Sequence, residues 1–104
     1  MRIALDYDGT YTADPALWDA FIASARLRGH EVHLVTMRAE SEPVRLGAHV
    51  DRIHYTDRKA KRPYMEARGL PVQVWIDDMP DFILQGAAPR SLAENAVSGL
   101  WAGA

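Results

Sequence analysis

Two acidic motifs each follow an apolar run. Ile3-Ala4-Leu5 leads into Asp6-Tyr7-Asp8-Gly9-Thr10, and Val74-Trp75-Ile76 leads into Asp77-Asp78. A further segment, His30 to Val35, with Val32, Leu34 and Val35 as its apolar members, ends at Thr36-Met37-Arg38. Lys59 and Lys61 lie ahead of the segment that leads to the second acidic motif. If the fold brings these points together, the carboxylates of Asp6, Asp8, Asp77 and Asp78 share a crevice with the Thr36 hydroxyl and an ammonium. Such a gathering opposes itself. Two like charges about 4 Å apart repel by roughly 1 kcal/mol in water and roughly 4 kcal/mol at an effective dielectric near 20. A hard cation relieves the repulsion. An oxygen-only donor set without Cys or His favours Mg²⁺, which commonly shares its coordination between carboxylates, water and a substrate phosphate. The lysine would then hold remaining phosphate charge or one of the carboxylates.

The elements that must position these residues can be read from caps and periodicity. Arg2 to Leu5 reads as a first strand and Asp6 to Ala13 as a loop. Asp14-Pro15 is a helix start, with Asp14 as N-cap and Pro15 in the first turn. Leu17, Phe21, Ile22 and Ala25 give that helix its apolar stripe, and Gly29 its stop. His30 to Val35 is a second strand. Ser41-Glu42-Pro43 predicts a short helix, ended near Leu46-Gly47. Arg52 to Tyr55 is a third strand. Asp57 to Arg68 is helical in pattern, with Pro63 moving its true start to about Arg62. Val72 to Ile76 is a fourth strand. Phe82 to Leu84 is a short candidate for a fifth, Ser91 to Ser98 predicts a last helix through a capping box of Ser91 and Glu94, and residues 85–90 and about 99–104 read as loop and tail. Strands alternating with helices predict an α/β fold: a Rossmann-like three-layer α/β/α arrangement around a small parallel sheet. Such sheets carry their chemistry just outside the C-terminal ends of the strands.

In this order, Asp6-x-Asp8-Gly9-Thr10, Thr36, Lys61 (or Lys59) and Asp77-Asp78 resemble the four motifs of the haloacid dehalogenase-like hydrolase superfamily. The match covers about residues 1–85. The resemblance implies a phosphate monoester phosphatase in which Asp6 attacks phosphorus to form an aspartyl-phosphate. Asp8 would be general acid and then general base, with its acid form favoured by the nearby Asp6 charge. Mg²⁺ would sit on the Asp6 carboxylate, the Asp8 backbone carbonyl and Asp77, with Asp78 as the second acid of the pair. Asp81, four residues beyond Asp77, is the alternative second acid. Thr36 and Lys61 would hold phosphate oxygens, and Lys61 would also orient Asp6. Gly9, Thr10, Met37, Arg38 and Lys59 complete the expected substrate-binding set. Arg38 is included as a phosphate contact directly beyond Thr36, and Lys59 as the other choice of lysine.

Blander readings exist for each motif. Asp and Gly often start turns, a strand-end Thr often satisfies local backbone, and Asp77-Asp78 could cap a helix. A calcium loop beginning at Asp6 would need Glu at its twelfth position, where the chain has Leu17. A phosphoacceptor receiver domain would place its acidic pair first, whereas here the adjacent pair comes last. His33 and His54 read as strand residues, and Trp18, Trp75 and Trp101 as packing. The basic run Arg58 to Arg62 is either a solvated helix start or a patch attracting a phosphorylated substrate.

The 104 residues suffice for one core and predict a single domain, 1–104. A net charge of −2 argues against a dedicated nucleic-acid binder. It leaves room for a small phosphorylated molecule or a nucleic-acid end as substrate. The absence of cysteine rules out disulfides and thiolate chemistry, and with no visible signal peptide it suits a cytoplasmic setting. No apolar run reaches membrane-spanning length, so no membrane partner is expected. Asp8 to Thr36 leaves 27 intervening residues and Thr36 to Lys61 leaves 24, both taken up by ordinary elements. Neither interval holds a cap insertion. A capless core of the resembled family would rely on the substrate itself, or on a second copy in a homo-oligomer, to exclude water.

Overall fold

A computed structural model describes residues 1–88. The helix expected at Ser91 to Ser98, the 99–104 tail and Trp101 lie outside the described residues. Four strands form one all-parallel sheet: β1 (Arg2–Leu5), β2 (Glu31–Thr36), β3 (Arg52–Tyr55) and β4 (Val74–Ile76), in the order β3-β2-β1-β4. The helices are α1 (Pro15–Leu27), α2 (Lys61–Ala67) and α3 (Asp81–Leu84), with a single 3₁₀ turn at Tyr11–Ala13. The expected α/β class and parallel sheet are found.

Strand periodicity sends alternate side chains to opposite faces. Ile3 and Leu5 of β1 and Val32 and Leu34 of β2 pack with Ile22 and Ala25 of α1. Ala4 and Val35 pack with Met65 of α2. The sheet is thus covered by α1 on one face and α2 on the other. Full burial of residues such as Leu5, Leu34 and Ile22 contributes about 1.5–3 kcal/mol each. Trp18 packs against the first cluster and Trp75 against the second, as read from the sequence.

The start of α1 also follows its sequence signals. The Asp14 carboxylate accepts the Leu17 N–H at 3.2 Å, and Pro15 occupies the first turn. Gly29, at φ +85°, lets the chain leave the helix for β2.

Three expectations are corrected. No helix joins β2 to β3. The apolar residues Val44, Leu46, Ala48 and Val50 recur every second position, and all four pack on the α1 side of the core. An extended segment does this and a helix does not. Its backbone N–H groups are satisfied by tyrosines rather than by a helical ladder: Val44 donates to Tyr55 Oη, Arg45 to Tyr7 Oη and Gly47 to Tyr11 Oη. The second correction is that Phe82–Leu84 belongs to α3, not to a fifth strand. Asp77 Oδ1 takes the Met79 N–H, which bends the chain sharply after β4. The third concerns boundaries. β4 is confined to Val74–Ile76 rather than beginning at Val72, and α2 ends at Ala67, while its start at Lys61 lies within one residue of the position expected from Pro63.

Candidate active site and metal centre

The strand order places β1 between β2 and β4, so the loops that leave these three strands flank a single crevice. This is the point in an open α/β sheet where successive connections depart in opposite directions, and where such sheets form ligand sites. A cavity of about 480 Å³ opens there, bordered by Asp6, Asp8, Thr36, Lys61, Asp77 and Asp78.

Asp6 is the first residue past β1. Its N–H still donates to the Ile76 carbonyl at 2.9 Å, so sheet pairing fixes its backbone. Its carboxylate is buried and held on both oxygens. Lys61 Nζ donates to Oδ1 at 2.8 Å, and Thr10 Oγ1 donates to Oδ2 at 3.0 Å. Lys61 is itself buried, as the first residue of α2, and also donates to Asp77 Oδ2 at 2.5 Å. Of the two lysines left open by the sequence, the site therefore contains Lys61. Lys59 is exposed and does not border the cavity.

Thr10 ties the first and fourth loops together: its hydroxyl accepts the Asp78 N–H at 3.2 Å while donating to Asp6. Gly9 permits this closeness. It sits at φ +84°, and a Cβ there would collide with the Asp78 carboxylate. Gly9 and Thr10 thus build the site from behind rather than line it as substrate contacts.

Asp6, Asp77 and Asp78 each present an oxygen such that all three lie within 4.8 Å of one another, and the group could hold a metal ion. Three carboxylates face one ammonium. Burial pushes the Asp6 carboxyl up to about 7. The Lys61 charge pulls it back, while the hydrogen bond with Asp78 and the charge of Asp77 add to the rise. Asp81 lies on the exposed first turn of α3, outside this group.

Asp8 departs from its expected place among the acids. Its side chain is turned outward, and both oxygens are taken by the Arg38 guanidinium, Oδ1 by Nη2 at 2.8 Å and Oδ2 by Nε at 2.9 Å. Its carboxylate is therefore not one of the three clustered ones. The guanidinium of the loop after β2 thus holds the Asp8 carboxylate at the cavity's exposed rim.

Thr36 ends β2, fully buried, and its hydroxyl accepts the Arg38 N–H at 3.2 Å. Met37 and Arg38 border the cavity, as expected of substrate contacts. Five further residues on its wall were not singled out as site residues: Glu42, Arg58, Met79, Phe82 and Ala87. Arg58 Nη1 donates to the Met37 carbonyl at 2.6 Å and to Glu42 Oε1 at 3.2 Å, which fastens the loop after β3 to the loop after β2. The basic run gave a signal for Arg58. The left-handed backbone that turns it inward, at φ 68°, has no signature in a non-glycine residue.

Comparison of the chain with family models, with curated proteins and with solved structures finds no match.

Proposed function

We propose that the chain is a Mg²⁺-dependent phosphohydrolase of haloacid dehalogenase-like type that cleaves phosphate monoesters. The observation that carries this reading is the buried Lys61 ammonium bridging Asp6 and Asp77 where the first and fourth strands end. A lone buried ion pair is costly to desolvate and weak support for stability. Placed in a crevice with a further acid beside it, the same arrangement fits a poised nucleophile.

The donor set fits a hard cation: three carboxylates converge, without nitrogen or sulfur ligands. Asp6, Asp77 and Asp78 would hold Mg²⁺, which when bound offsets charge on the phosphoryl oxygens. The chain's own residues supply the rest. Lys61 and Thr10 fix the Asp6 carboxylate so that an oxygen can be aimed at phosphorus, a gain in orientation. Attack forms an Asp6 Oδ–phosphorus bond, the acyl-phosphate anhydride of an aspartyl-phosphate, and breaks the bond from phosphorus to the leaving oxygen. Asp8 gives that oxygen its proton. Water then attacks phosphorus, Asp8 takes the water's proton, and inorganic phosphate and free Asp6 are released. Thr36 and Lys61, both on the cavity wall, would donate to phosphate oxygens. A reducing cytosol is the setting we assign.

Hydrolysis of an aryl phosphate with and without Mg²⁺, beside Asp6→Asn, tests the reading. Mg²⁺-dependent turnover is expected in wild type, with a loss of about 10⁴-fold or more in Asp6→Asn. Equal inactivity of both on a panel of phosphorylated metabolites and nucleic-acid ends, with phosphate and Mg²⁺ still bound, would replace it with a non-catalytic binding domain.

One observation favours a nucleotide or nucleic-acid end as substrate. Arg58 stands on the cavity wall, with exposed Lys59 and Arg62 beside it in sequence. Turnover on a phosphorylated oligonucleotide should then fall steeply with salt. A flat salt response leaves the small-molecule reading in place.

A further inference from the structure

The Arg38–Asp8 pair has a consequence for how the site takes up its substrate. Arg38 is fixed independently of Asp8. Its N–H donates to Thr36 Oγ1, its carbonyl accepts the Asp57 N–H, and Nη1 donates to the carbonyls of Glu42 and Pro43 at 3.3 Å each. Its guanidinium lies 4.9 Å from the centre of the Tyr7 ring. Asp8 is the freer partner, its side chain 56% exposed against 32% for Arg38. Both residues border the cavity. The fork of Nε and Nη2, which matches two carboxylate oxygens here, matches two phosphate oxygens equally well.

Resting on the phosphohydrolase reading, we propose that Arg38 is a phosphate-binding residue whose seat is filled by the Asp8 carboxylate in the free protein. An arriving phosphate monoester takes the Nε–Nη2 fork, and the displaced Asp8 carboxylate is free to take a proton from water and then deliver it to the leaving oxygen. Arg38 thus couples substrate arrival to the release of the acid–base residue. The exchange is one anion for another on a fixed cation. It needs only a side-chain rotation of Asp8, which is exposed and held through a partner that water can replace.

The coupling is measurable without turnover. Dissociation constants for inorganic phosphate, at fixed Mg²⁺ and pH, are determined by calorimetry for wild type, Asp8→Asn, Arg38→Gln and the double variant. Removing the competing carboxylate should tighten phosphate binding by about threefold to fivefold in the Asp8→Asn variant, the size expected for an exposed ion pair. In the Arg38→Gln background the same change should gain less than about twofold, because the seat is gone. A repeat with Arg38→Lys, which keeps the charge and loses the fork, covers any loosening of the Glu42–Pro43 loop; there too the gain must shrink. An equal gain in all backgrounds would mean general charge repulsion and overturns the proposal. So does the absence of any gain, or of phosphate binding to every form. The phosphohydrolase reading is judged separately by Asp6→Asn turnover, so either can fail alone.

Discussion

Lys61 shows what a single residue contributes here. Its ammonium is 3% exposed and sits between carboxylates of Asp6 and Asp77, whose side chains are 8% and 2% exposed. Removing one partner of a buried ion pair strands the others at a cost of about 3–5 kcal/mol. Lys61→Met should therefore lower the urea midpoint by that equivalent, and much less so when combined with Asp6→Asn. Equal losses in both backgrounds would mean that packing, not charge, holds the lysine. At this scale the sequence was only partly legible. Asp6, Thr36 and the Asp77-Asp78 pair could be named because each follows an apolar run. The choice between Lys59 and Lys61 depends on where α2 begins, which Pro63 marks only to within about a residue. The pairing of Asp8 with Arg38 links residues in different loops, and no local pattern marks it.

Among the elements, the connection from β2 to β3 departs furthest from expectation. Ser41-Glu42-Pro43 has the chemistry of a helix start, yet the alternation of Val44, Leu46, Ala48 and Val50 was the stronger signal and describes a strap lying on the core. Tyr11 Oη donates to Asp19 at 2.7 Å and accepts the Gly47 N–H at 2.8 Å, anchoring the strap to α1. Tyr11→Phe leaves both groups to find water and should cost about 1–3 kcal/mol. Amide exchange at Gly47 should accelerate while that at Leu34 tracks only the global change; unchanged Gly47 protection would deny the strap this anchor. β2 and β3 are also joined side chain to side chain. His33 and His54 are each 4% exposed and share a ring-nitrogen hydrogen bond of 2.9 Å, and Glu31 and Arg2 extend the chain to β1. Burial, and then the charges of His33, Arg52 and Arg68, push His54 down from 6.5 to about 4. The unfolded chain therefore takes up this proton first. Stability is full above about pH 6.5 and falls as pH drops toward about 4, by up to roughly 3 kcal/mol. A pH series of urea melts checks this, and His54→Leu should flatten that window. A profile identical in wild type and variant would remove His54 as its source.

For the molecule as a whole, the four strands and two of the helices were legible from the capped start and apolar stripe of α1, the apolar positions of β1, β2 and β4, and their alternation along the chain. α3 was not, because four residues are too few to distinguish a helix turn from a short strand. The order β3-β2-β1-β4 brings Asp6, Asp77 and Asp78 together from opposite ends of the described chain, so a cation held by all three bridges the first and last strands. Binding to the folded state alone stabilises it by mass action, by about 2.7 kcal/mol at a hundredfold excess over Kd. Mg²⁺ at that excess should thus raise the melting temperature by about 10–20 °C, at about 4–8 °C per kcal/mol for a chain of this size. EDTA should reverse the rise and Asp78→Asn should blunt it. A melting temperature indifferent to Mg²⁺ in wild type would count against the metal centre. Among the described residues no helix is long and apolar enough to cross a membrane.

The sheet also tapers. Its inner strand β2 has six residues, while the outermost described strands, β3 and β4, have four and three. Unpaired N–H and C=O groups on an outer strand can template the addition of another chain, and brevity is one way natural sheets blunt that hazard. β3 adds a charge, opening on exposed Arg52. The borders of this sheet thus offer a neighbouring copy only short rows of backbone to zip against. Two copies of the described residues would meet more readily through side-chain surfaces than by strand pairing, and the crevice at the strand ends lies away from those short edges.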